Sequence, residues 1–232
     1  MHYWIGSINN PQAYYKNHYN KFNIITDTLK IVTEFENRIP DKSWILYLLE
    51  IFNSQQIAVE LNLICQFDNQ NYFEAIFNGV NQYRFNKVLP KIGNSYIRQI
   101  RFKKFNNTIE YYIQDLENQI DESFILDVKA LFSYQFSTSF TGIEWWNKID
   151  YKPYPLRYKI EISNLMYGFN DNASDDTSAI FFPVDSLYSN KDGSFNHSQY
   201  PINFIFNGIR NGCISYNIEN GFCNQGLNCI AL

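Results

Sequence analysis

From Ile57 to Phe67 the chain alternates without a break. Ile57, Val59, Leu61, Leu63, Cys65 and Phe67 fall on one side; Ala58, Glu60, Asn62, Ile64 and Gln66 fall on the other. A period of two held over such a run predicts a strand with one face buried. The segment WILYLLEIF (44–52) is apolar on both sides and suits a central strand covered on both faces, with a short buried helix as the alternative. YIRQIRFKKFNNTIEYYIQDL (96–116) reads as a hairpin. Ile100 and Phe102 alternate with Gln99, Arg101 and Lys103. Asn106-Asn107 supplies a turn, because Asn tolerates positive φ, and Ile109, Tyr111 and Ile113 continue the pattern. RYKIEIS (157–163) alternates in the same way. Further strands are predicted at 72–77, 123–128, 142–146, 179–184 and 201–207, and 22–36 is also strand-like. Helical signals are few: 12–22, introduced by Pro11, and a short turn in 128–134.

About ten short strands with turn residues between them predict an all-β fold of two stacked antiparallel sheets, a sandwich or jelly roll, with a closed barrel as the alternative. The 232 residues read as a single domain whose core spans about 22–207, followed by a Cys-containing C-terminal tail. Composition agrees: 45% of residues are apolar and 18% aromatic, enough for a core and suited to strands.

Charge narrows the partners. The net charge is −4, and the densest basic stretch, IRQIRFKKF (97–105), alternates with apolar residues as a half-exposed strand does. Nucleic acid is therefore not an expected partner, since binding phosphate backbones needs clustered Lys and Arg. No apolar run is long enough to predict a membrane span. MHYWIGSINN shows no signal-peptide pattern. Cys65 is predicted to be a buried thiol. Cys213, Cys223 and Cys229 crowd a Gly- and Asn-rich end, which favours a disulfide there and permits an extracytoplasmic location. Zinc is disfavoured by the lack of a CxxC pair and by the scattered His2, His18 and His197. Sequons begin at Asn106, Asn172 and Asn196, as an Asn-rich chain produces by chance.

The candidate chemistry lies on strands. Glu60, Asn62 and Gln66 share the polar side of 57–67, and in FTGIEWW (140–146) alternation puts Glu144 and Trp146 on one side and Ile143 and Trp145 on the other. If the two strands share a sheet, Glu60, Asn62 and Trp146 would form a ligand face: an aromatic platform with planar polar groups, suited to a glycan or an apolar organic molecule. Glu50, Glu60, Glu74, Glu144 and Glu161 are acids on predicted strands, but no short motif pairs them as glycoside hydrolysis requires. Asp171, Asp175 and Asp176, in the polar loop 167–180, offer hard oxygen ligands for calcium, and 184–194 is a second acidic loop.

Ser43-Trp44 opening a strand, the hairpin ending TIEYYIQDLEN (108–118), FTGIEWW and RYKIEISNLMYGF (157–169) together resemble the concanavalin A-like lectin/glucanase sandwich. Within that fold the order is similar to the glutamic peptidases, over residues 40–170. The resemblance implies a catalytic pair: Glu144 as general base, and a glutamine amide, Gln66 or else Gln56, holding the oxyanion. Asn147 and Asp150 stand where the family's following acids would be expected, at shifted spacing. Two function classes follow: a binding module for a glycan or small organic ligand, and a peptidase-like or glycosidase-like hydrolase using Glu144.

Overall fold

The computed structural model describes residues 2–9, 22–68, 70–129, 131–147, 154–169, 180–183, 188–189, 202–210 and 213–221. Its strands in chain order begin with β1 (His2–Asn9), β2 (Ile24–Glu34), β3 (Ser43–Asn53), β4 (Ala58–Gln66) and β5 (Asn71–Phe77). Next come β6 (Val80–Arg84), β7 (Ser95–Lys103), β8 (Thr108–Asp115), β9 (Ile120–Asp127) and β10 (Phe136–Asn147). The last are β11 (Tyr158–Phe169), β12 (Ile180–Pro183), β13 (Tyr188–Ser189), β14 (Ile202–Arg210) and β15 (Cys213–Asn220). They form a seven-stranded sheet, β13-β1-β10-β3-β4-β5-β6, and an eight-stranded sheet, β14-β15-β11-β2-β7-β8-β9, with β12 on β11. Neighbouring strands run antiparallel throughout, for example β10 with β3 and β2 with β7. This is the expected all-β sandwich. Its sheets extend past the anticipated 22–207 core, because β1 joins one sheet and β15 lies between β11 and β14 in the other.

Alternation explains the layers. Val59, Leu61, Leu63 and Cys65 of β4, and Ile45, Tyr47, Leu49 and Ile51 of β3, are fully buried and meet Ile25, Leu29, Ile100 and Ile113 of the other sheet in one core. Cys65 is a free, buried thiol. The 96–116 hairpin forms as anticipated: Lys104–Asn106 makes a short 3-10 turn, and Asn107 takes the left-handed conformation at φ 53°. At 128–134 a turn closes through Phe132 N donating to Lys129 O at 2.9 Å.

One core residue departs from the sequence reading. In 97–105 the charged positions do not all face water. Arg98 shares the inward side with Tyr96, Ile100 and Phe102 and is 0% exposed. Its guanidinium clasps Asp27 through Nε (3.0 Å) and Nη2 (2.6 Å). It also donates to the carbonyls of Tyr47 (2.7 Å), Leu61 (3.2 Å) and Leu48 (3.3 Å) across the sandwich. Those carbonyls are available because the β3–β4 register runs as far as Tyr47↔Leu63 and resumes at Glu50↔Glu60. A fully buried guanidinium requires such complete pairing, since an unpartnered buried charge is very costly.

Several expectations fall outside the described residues: most of the 12–22 helix, the calcium candidates Asp171, Asp175 and Asp176, Cys223 and Cys229, and the sequons at Asn172 and Asn196.

Candidate functional site

On the outer face of the seven-stranded sheet, side chains two positions apart line up in rows across the strands. One row reads Trp146, Trp44 and Gln66 on β10, β3 and β4. The next reads Glu144, Leu46, Ile64 and Tyr72. A third pairs Gly142 with Leu48, and Asn62 with Glu74 and Arg84. A fourth reads Phe140, Glu50, Glu60 and Ile76. On β1, His2 and Trp4 are the backbone partners of Trp146 and Glu144.

The rows enclose a groove of about 320 Å³. Trp44, Trp146 and Tyr72 give it aromatic walls, Leu46, Ile64 and Ile76 an apolar base, and Glu60, Glu74 and Glu144 its carboxyls; Gln66 also lines it. No Lys, Arg or His is among its described lining residues. The two tryptophans of FTGIEWW part as alternation requires. Trp145 is 0% exposed in the core and donates its indole N–H to Tyr154 O at 2.7 Å. Trp146 faces the groove, edge-on to Trp44 at 6.1 Å and 90°. Tyr154 then ties the two strands from below, its hydroxyl donating to Trp44 O at 2.7 Å.

The anticipated catalytic and ligand-binding residues lie among the described residues, unlike the calcium candidates. Glu144, Gln66, Trp146 and Glu60 come together in the groove. Gln66 donates an amide hydrogen to the Tyr72 hydroxyl at 2.6 Å, and a primary amide has a second hydrogen to give. Asn62 lies beneath them, 0% exposed. Its Nδ2 donates to Glu60 Oε2 at 2.7 Å, and its Oδ1 accepts from Leu49 N at 3.3 Å in the gap that Arg98 holds open. Asn62 thus orients Glu60. Gln56 is an exposed residue before β4, with Nε2 donating to Ser137 Oγ at 3.4 Å, and does not line the groove. Glu161 belongs to β11 in the other sheet.

Glu50 and Glu74 count in the sequence among five candidate acids that no short motif pairs, and Trp44 and Tyr72 are not named there as site residues; Glu74, Trp44 and Tyr72 line the groove. Their signal was present as i, i+2 spacing on β3 and β5, but it needed the strand order to become a surface. Electrostatically the face is frustrated. Burial pushes the Glu50 carboxyl up, and the charges of Glu60 and Glu144 push it the same way. Burial also raises Glu60, against the Asn62 hydrogen bond and with the help of Glu144 and Glu74. Burial pushes Glu74 up to about 7 while Arg84 pulls it down. Arg84 itself lies 3.8 Å above the Tyr72 ring and donates to Gln70 Oε1 at 3.3 Å.

Among the described residues, no group of three or more His, Cys, Asp or Glu side chains is arranged to hold a metal ion. No helix among them is long and apolar enough to cross a membrane.

No protein-family model matches the chain, and no curated protein matches it. Solved structures match its fold. A scytalido-glutamic peptidase with a transition-state analogue inhibitor aligns at a TM-score of 0.58, covering 94% of this chain and 98% of its own, with 9% identity. SCP-B, a member of the Eqolisin family of peptidases in complex with the tripeptide Ala-Ile-His, aligns at 0.54 with the same coverages and 9% identity. A Lotus tetragonolobus seed lectin aligns at 0.39, covering 61% of this chain and 69% of its own, with 13% identity, too distant to bear on the argument. The chain is thus a two-sheet sandwich similar along nearly its whole length to the glutamic peptidases, and at 9% identity that likeness is one of fold.

Proposed function

We propose that the groove is the active site of a hydrolase that cleaves peptide bonds, with Glu144 and Gln66 as its catalytic residues. The observation that carries this reading is that Glu144 and Gln66, on strands far apart in sequence, line the same groove. Two strand spacings, roughly 9–10 Å, separate β10 from β4, room for a substrate backbone between the two side chains. The Glu144 carboxylate takes a proton from water as the water oxygen bonds to the scissile carbonyl carbon. The spare amide hydrogen of Gln66 donates to the oxyanion. Glu144 then returns its proton to the leaving nitrogen as the C–N bond breaks. The aromatic walls exclude water and hold apolar substrate side chains. The inhibitor and tripeptide complexes of the two peptidases with this fold support a peptide as the substrate class.

The test is cleavage of a denatured protein from acid to neutral pH, followed by mass spectrometry. Glu144→Gln should lower the rate by roughly 10²–10⁴-fold, the usual worth of a positioned general base. Unchanged cleavage in that variant, or none by the wild type, removes this reading. Trp146 and Glu60 in the groove favour a second reading, a glycan-binding module. It predicts quenching of tryptophan fluorescence by some member of a glycan panel, and a flat response across the panel counts against it.

A further inference from the structure

Glu74 combines two properties that a surface glutamate does not have. It is only 7% exposed, yet it lines the groove. Its Oε2 is buried without any hydrogen-bond partner. The obvious internal cation does not meet that need: Arg84, directly opposite on β6, stacks on Tyr72 and donates to Gln70. The other carboxyls lining the groove, Glu60 and Glu144, share its charge sign, and no basic side chain is among the described lining residues.

We propose that Glu74, with Glu60 beside it on the adjacent strand, forms a subsite for a cationic group, the side chain of a Lys or Arg residue in a peptide substrate. This rests on the reading of the groove as a peptide-cleaving site and names its substrate class: peptides carrying a basic residue near the scissile bond. A buried carboxylate oxygen without a donor is an unmet demand, and an ammonium or guanidinium supplies both charge and N–H donors. The terminal torsion of glutamate is broad, so either oxygen can turn to the guest. The aliphatic stem of a Lys or Arg would lie along the apolar strip of Ile64 and Ile76, as such stems do on apolar surfaces. Three strand spacings, roughly 14 Å, separate β5 from β10, so the cation would sit some residues away from the bond facing Glu144.

Because Glu74 is raised to about 7 by burial, recognition should strengthen as pH rises through neutrality. The charged and titratable groups around it are Glu60 on β4, Arg84 on β6, Tyr72 on its own strand and, across the groove, Glu144.

The experiment is a tryptophan-fluorescence titration of the whole protein with two blocked pentapeptides, alike except for a central Lys or norleucine. Cleavage is followed separately by mass spectrometry. The Lys peptide should bind at least roughly tenfold tighter than its norleucine twin, and Glu74→Gln should abolish the difference. Equal affinities in the wild type, no binding of the Lys peptide, or a preference that survives Glu74→Gln would each overturn the subsite. Should that variant fail to fold, the wild-type Lys/norleucine ratio and its rise with pH decide alone. Selective binding without cleavage refutes the hydrolytic reading and keeps the cation subsite; cleavage indifferent to Lys does the reverse.

Discussion

Among the charges taken out of water in the described residues, two sets are treated oppositely. Between the sheets, Arg98 and Asp27 form a bidentate pair, and the guanidinium's other donors go to three backbone carbonyls. On the outer face, Glu50, Glu60 and Glu74 crowd together with like sign, and one oxygen of Glu74 has no partner. A charge satisfied on every side belongs to the architecture. Carboxyls crowded at a groove, one of them without a partner, raise the energy of the empty site as they ionise, and a fold keeps such a cost where something else benefits from it.

The sharpest way to break the contrast is to remove one member of the interior pair. Arg98→Leu leaves Asp27 buried alone and also frees the β3–β4 carbonyls; roughly 3–5 kcal/mol of stability should be lost, read by urea unfolding. The groove should respond to pH in the opposite sense to an ordinary ion pair. A carboxyl raised in the folded state is neutral there while its unfolded counterpart has ionised, so stability present below the unfolded pKa is lost as pH rises. For Glu74 that window runs from 4.5 to about 7, with Glu50 and Glu60 acting in the same direction. Thermal scans should place Tm at pH 8 roughly 5 °C or more below that at pH 5. An unchanged or higher Tm at pH 8 would mean that these carboxyls are not desolvated as described. Glu50→Gln isolates one contributor: Tm should rise by a few degrees at pH 8 and stay nearly level at pH 5. The smallest effect belongs to partly exposed charges on the other sheet, where Lys103 Nζ meets Glu110 Oε2 at 3.0 Å. Lys103→Ala should cost no more than about 1 kcal/mol and should matter less in high salt.

The same contrast shows how far the sequence could be read. Strands were legible wherever one face was greasy and the other polar, as in 57–67, because burial on one side writes period two directly into the chain. The division of FTGIEWW into a core Trp145 and a groove-facing Trp146 followed from that period alone. Arg98 was hidden because its partners, Asp27 and the carbonyls of β3 and β4, are 37 to 71 residues away. A lone charge in an alternating run looks solvated until those partners are known. The burial of Asn62 is hidden for a related reason: its amide replaces a backbone bond at a place where the ladder is interrupted, which no local pattern announces. Glu74 and Trp44 needed the strand order, since their companions in the groove are on other strands.

That strand order also sets a timetable. β10 lies between β1 and β3, so Glu144 meets Leu46 on one side and Trp4 on the other across loops of about a hundred residues or more. Closing such loops is slow, and most of the reward comes only after both neighbours have docked. While a ribosome is still extending the chain, β3, β4 and β5 can pair among themselves, but their carboxylates and Trp44 stand open on one side until residue 147 has emerged. The groove therefore closes only once β10 has joined β3, and any activity it has is withheld from the nascent chain until then.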